Sequence, residues 1–112
     1  MADVLIVGAG PAGASLAVHL GRAGHEVVLF DKARFPRDKA CGEGLMPSGV
    51  GALRRLGLFD ALEGGAPFWG VRYHAGGRQA TGRFPQAAGV PNFGLGQRRL
   101  ALDERLAIAA RS

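Results

Sequence analysis

Apolar and polar positions divide this chain into strand-length and helix-length stretches. Residues 4–7 form an apolar, β-branched run, and residues 27–30 form a second that reads as a buried strand. Between them Leu16 and Leu20 repeat at i, i+4, and Gly24 suits the helix stop. A polar loop bearing Pro and Gly follows to about Leu45. Pro47, Ser48 and the series Val50, Leu53, Leu56 predict a helix stopped by Gly57, then a short helical turn over residues 58–63 ended by Gly64 and Gly65. Residues 68–74 alternate, with Trp69, Val71 and Tyr73 on one face, where Trp69 and Tyr73 are expected to pack a sheet. Gly76 and Gly77 supply a tight turn and residues 79–84 return, which predicts a β-hairpin. Residues 85–92 form a loop with two prolines, and residues 93–97 a short strand. Leu102, Leu106 and Ala109 mark an amphipathic helix running nearly to Ser112.

The first strand and helix meet in Gly8-x-Gly10-x-x-Gly13, and Asp31 follows Gly13 by eighteen residues, at the end of the second strand. Each glycine has a physical task. Gly8 allows the tight turn, Gly10 lets a pyrophosphate approach the backbone, and Gly13 lets the helix pack close to the sheet. Pro11 falls in the first helical turn, where its missing N–H is no loss. The spacing predicts a dinucleotide site, with phosphates at the helix N-terminus and Asp31 on a ribose hydroxyl.

Composition narrows the class. A chain of 112 residues with 47% hydrophobic and 21% charged residues is expected to fold as one domain. The N-terminus carries Asp3 and no early cation, so it does not read as a signal peptide. No stretch is long enough to span a membrane. The single cysteine, Cys41, excludes an internal disulfide and fits a cytoplasmic location. Of the net charge of +5, the excess begins after Asp31, around Lys32, Arg34, Arg37 and Lys39. No aromatic–basic interleaving or helix-turn-helix pattern accompanies it, so a dinucleotide's phosphates are the better partner than nucleic acid. His19, His25 and His74 lack metal-ligand spacing, and no metal is expected.

The fold class expected is α/β, a Rossmann-like βαβ start with a β-hairpin from an inserted sheet layer (residues 66–92). Only two parallel strands precede the last helix, and a doubly wound sheet needs more. Residues 1–112 are therefore expected to be the N-terminal part of a larger domain, with the remainder missing or supplied by another chain.

Three segments carry a resemblance to a known family. The stretch from Gly8 to Gly13 followed by Asp31 resembles the FAD-binding start of the flavoprotein oxidoreductases that include para-hydroxybenzoate hydroxylase. Residues 35–45, reading FPRDKACGEGL, look like a segment of geranylgeranyl reductase-like flavoproteins. Residues 97–106, reading QRRLALDERL, look like a segment common across the wider family.

The resemblance implies FAD as cofactor, with NAD(P)H a possible electron donor. Gly8, Gly10, Pro11, Ala12 and Gly13 would line the pyrophosphate, and Asp31 would bind the ribose, with Lys32 and Arg37 nearby. Cys41, Gly42 and Gly44 would lie along the flavin side, with Cys41 the one catalytic candidate. Arg98 or Arg99 would contact the ribityl chain or a phosphate, and Arg99 fits the spacing to Asp103 better. The implied activity is reduction of an isoprenoid or similar apolar small molecule. The alternatives are monooxygenation of an aromatic or polyketide-like substrate, and a non-catalytic nucleotide-binding fragment. A lipid substrate would bring peripheral membrane contact. From the residues alone three other readings stay open: Cys41 as a small turn residue, Arg98 and Arg99 as a solvated helix start, and an NAD(P)-binding module.

Overall fold

The computed structural model describes residues 1–111. Strand β1 (Val4–Val7) and strand β2 (Val27–Phe30) pair in parallel, Val4 opposite Val27 and Val7 opposite Phe30. Parallel neighbours need a crossover, and helix α1 (Pro11–Arg22) supplies it. The α/β class and the βαβ start are as expected.

The helices pack through small residues. Helix α1 buries Ala14, Ala17 and Val18, while Leu16 stays exposed on another face. Ala14 and Val18 meet Leu53 of helix α2 (Pro47–Arg55), Leu58 and Ala61 around a 3-10 turn (Phe59–Leu62), and Leu102 and Leu106 of helix α3 (Arg99–Arg111). Leu106 is completely buried. Burial of such a side chain contributes about 1.5–3 kcal/mol. Helix α3 runs to the end of the described residues, and Ser112 lies outside them.

A second, three-stranded sheet goes beyond the single short strand expected over residues 93–97. Strand β3 (Gly44–Leu45) and strand β4 (Ala66–Phe68) flank strand β7 (Gly94–Gly96), both antiparallel to it. The loop after Asp31 thus ends in a strand, and Phe68 belongs to β4 rather than to the hairpin. Phe68 packs so closely on Gly94 that a Cβ there would lie 2.4 Å from its ring.

The hairpin is present, as strand β5 (Gly70–Ala75) and strand β6 (Arg78–Arg83) about a Gly76–Gly77 turn. Both turn glycines have positive φ (52° and 74°), as a two-residue hairpin turn of the right twist requires. Among the described residues these strands pair only with each other. Trp69, just before β5, is half-exposed and Tyr73 is 71% exposed, so the expected packing of this face is not found among the described residues.

Burial of residues 27–30 is likewise corrected. The face carrying Ile6 is covered, with Ile6 in reach of α1 at Gly13. The opposite face carries Leu5, Val7, Val28 and Phe30, all exposed. Two strands with helices on one side leave the other apolar face uncovered by any described residue. No helix among the described residues is long and apolar enough to cross a membrane.

Candidate functional site

The glycine turn between β1 and α1 has the shape its sequence implied. Gly8 sits at φ 102°, and its N–H donates to the Phe30 carbonyl at 2.7 Å, tying the turn to β2. At Gly13 an added Cβ would lie 1.8 Å from the Gly8 carbonyl oxygen and 3.3 Å from Ile6. Only a hydrogen fits there. Gly10 is the N-cap of α1, with no side-chain cap and no acid in the first turn. The first intrahelical bond runs from the Ala14 N–H to the Gly10 carbonyl, at 2.9 Å. The N–H groups of Ala12 and Gly13 precede it, without intrahelical acceptors, and they and the helix dipole favour an anion.

Asp31 reaches back to this turn. Its Oδ1 accepts from the Ala33 N–H at 2.8 Å and its Oδ2 from the Ala9 N–H at 2.9 Å. Those two bonds, Ala33's first, hold its carboxyl below the usual range, and Arg37 and Lys39 add to the effect. Each oxygen keeps acceptor capacity for a hydroxyl. A cavity of about 680 Å³ opens beside it, lined by Ala9, Asp31, Ala33, Phe35, Ala107 and others. Lys32 is exposed next to this acid.

On the other side of Gly10 stand two guanidinium groups. A Cβ on Gly10 would lie 3.7 Å from Arg99 Nη2 and 3.8 Å from Arg37 Nη2. Both arginines converge on Asp103, which is completely buried. Arg99 donates to it through Nε at 2.8 Å and Nη2 at 2.9 Å, and Arg37 donates through Nη1. The Arg37 guanidinium also lies 4.8 Å from the centre of the Phe35 ring. Asp103 raises the pKa of Arg99 further, so its charge is fixed at any working pH.

Of the two adjacent arginines, Arg99 faces the turn. Arg98 projects outward, 69% exposed, with Nη2 4.0 Å from Asp38. Cys41 is exposed and borders Arg99. The Glu43 N–H and the Arg99 side chain hold its thiol below the ordinary value. Gly42 has open space around it, and Gly44 lies in β3 in ordinary contact with Phe68. The structure thus gathers Gly10, Gly13, Asp31, Arg37, Cys41 and Arg99 around α1's N-terminus and leaves Arg98 apart.

Sequence spacing alone gives Asp103 no role beyond its distance from Arg99. The signal for one was there: an acid four residues after Arg99, between Leu102 and Leu106 on the helix's apolar stripe. The arrangement can bind a diphosphate between helix N-terminus and guanidinium groups, and a hydroxyl at Asp31. Among the described residues it offers no paired acid and base.

Comparison with known proteins agrees with this chemistry. Residues 1–105 match the family described as FAD binding domain. A menaquinone reductase of Mycobacterium tuberculosis is 42% identical over 105 residues, which are 94% of this chain and 26% of that protein. A squalene epoxidase of Aspergillus fumigatus is 52% identical over 63 residues, 56% of this chain and 13% of its own. A crystal structure of a flavoprotein/dehydrogenase from Cytophaga hutchinsonii superposes with TM-score 0.86 at 32% identity, covering 98% of this chain and 28% of that one. The chain spans about a quarter of the length of the curated reductase it matches.

Proposed function

The chain belongs to the FAD binding domain family, and from that premise we propose that it binds the adenosine and pyrophosphate of FAD in a flavin-dependent oxidoreductase. The residues fit the cofactor. Gly10 carries no side chain, so a diphosphate can approach the α1 N-terminus where the Arg37 and Arg99 guanidinium groups also face the turn. Asp31 offers acceptors for the ribose, and the adjoining cavity accepts the adenosine. Cys41, Gly42 and Gly44 then border the flavin end, with the Cys41 thiol beside Arg99. When bound, the flavin supplies the redox chemistry, and the chain's own residues bind and orient it.

The reaction we assign is reduction of an isoprenoid or similarly apolar substrate in the cytoplasm, with NAD(P)H as donor. Such a substrate implies peripheral contact with a membrane surface. One observation carries the choice. The reductase is 42% identical over 94% of this chain, while the epoxidase match covers 56% of it. Its 52% identity nonetheless supports a second reading, monooxygenation.

Oxygen uptake separates the two. The full natural chain is mixed with reduced nicotinamide and an isoprenoid quinone in a sealed oxygen electrode. A reductase consumes the nicotinamide with substrate equally well under argon. Oxygen uptake stoichiometric with substrate turnover would establish the monooxygenase instead.

A further inference from the structure

We infer that Asp103 is a positioning residue: it holds Arg37 and Arg99 as a fixed cationic fork facing Gly10, and so sets the affinity of the diphosphate site. This rests on the reading of the glycine turn as that site, and adds how its cationic half is built.

Two guanidinium groups placed side by side repel, so their meeting needs a counter-charge. Asp103 supplies it from a fully buried position one helical turn after Arg99. The three charges sum to a single positive charge directed at Gly10. Donors remain for a ligand. Each guanidinium has five N–H groups; Arg99 spends two on Asp103 and Arg37 one. Of the two Nη2 atoms that lie nearest Gly10, that of Arg99 itself donates one N–H to Asp103 and keeps a second, while that of Arg37 belongs to a group held through Nη1 by Asp103 and by the Phe35 ring. Their rotamers are therefore set before any anion arrives, and the ordering loss on binding is reduced. Arg37 comes from a loop 66 residues earlier in the chain, and Asp103 is the contact that fixes its guanidinium at the turn.

Positioning and simple electrostatics give effects of opposite sign. If Asp103 acted only as a background negative charge, its removal would raise the local positive potential and tighten anion binding. If it positions the fork, its removal loosens binding even though the site becomes more positive.

The test is calorimetric titration of ADP, which carries the diphosphate without a flavin, into the full natural chain freed of cofactor. Asp103→Asn is expected to weaken ADP on the order of tenfold, the scale of one hydrogen bond to a charged group. Arg37→Met is expected to weaken it by a similar factor in the parent and to have little effect in the Asp103→Asn background, since coupled residues are not additive. Equal or tighter binding by Asp103→Asn overturns the inference while leaving the site in place. Should Asp103→Asn lose its folded circular dichroism spectrum, Arg37→Lys decides. It keeps the charge and loses the fork, and undiminished affinity refutes positioning. A parent chain that does not bind ADP at millimolar concentration removes the diphosphate site itself, and this inference with it.

Discussion

The Cβ that Gly13 lacks would lie 1.8 Å from the carbonyl oxygen of Gly8. The first and third glycines of the turn are thus two halves of one contact. Gly8 adopts φ 102° and aims its carbonyl at the helix, and Gly13 accepts that approach. The spacing of the motif is set by packing as much as by any ligand.

Gly13→Ala is therefore a folding variant. No side-chain rotation relieves a backbone oxygen, so α1 must move away from β1. The expected loss is roughly 3 kcal/mol, the upper part of the overpacking range. Urea unfolding followed by circular dichroism measures it. An unchanged midpoint would show that the helix can tilt freely at this end.

Gly10→Val is expected to behave in the opposite way. Gly10 has extended backbone (φ −70°, ψ −173°), which valine adopts readily, and its nearest neighbours are guanidinium ends at 3.7 and 3.8 Å. The fold survives, but the side chain fills the space proposed for the pyrophosphate. The purified variant should be colourless with a normal far-ultraviolet spectrum. Normal flavin content would displace the cofactor from this turn.

Asp31→Ala is expected to weaken flavin binding about ten- to a hundredfold, and Asp31→Glu to change it little. The acid also predicts a pH dependence. Its folded pKa lies below that of the unfolded chain, because the Ala33 and Ala9 N–H groups stabilise the carboxylate. The stability it contributes is complete above the unfolded value of about 3.9 and is lost as pH falls through the lower folded value. The difference in unfolding midpoint between the parent and Asp31→Asn should be constant near neutrality and shrink below about pH 4. A difference that grows on acidification would contradict the hydrogen bonds assigned here.

The Cys41 thiol should be alkylated as a thiolate at lower pH than an ordinary cysteine, whose pKa is about 8.5. The Glu43 N–H is the chief cause and the Arg99 side chain the next. The rate of reaction with iodoacetamide, followed against pH, gives the midpoint. Arg99→Met should move that midpoint upward. A parent midpoint at 8.5 or above would detach the thiol from Arg99.

What could be read from the sequence was what is local. The β1–α1–β2 unit was legible because glycine spacing, Pro11 and a terminal acid fall within 31 residues. The hairpin was legible because Gly76 and Gly77 mark its turn. Strands β3 and β4 were not, since two or three residues cannot display a period of two. The fork was half legible. Arg99 and Asp103 stand at i, i+4 and show as a pair, with Asp103 on the apolar stripe, but nothing near Arg37 reveals a partner 66 positions away. The exposure of Val28 and Phe30 was hidden for a similar reason: an apolar run reports that a face wants cover, not whether a neighbour is present.

The Arg37–Asp103 bond also orders events in time. It joins positions 66 residues apart. As the chain leaves the ribosome, the glycine turn, α1 and Asp31 emerge early and can form from neighbouring residues. The counter-charge for Arg37 is synthesised near the end of the described chain, after the hairpin and β7. Until then Arg37 swings on an unclasped loop whose closure costs entropy. A nascent chain in which residue 103 has not yet emerged would hold the turn with half its grip, and affinity for a diphosphate should rise once that residue has cleared the ribosome.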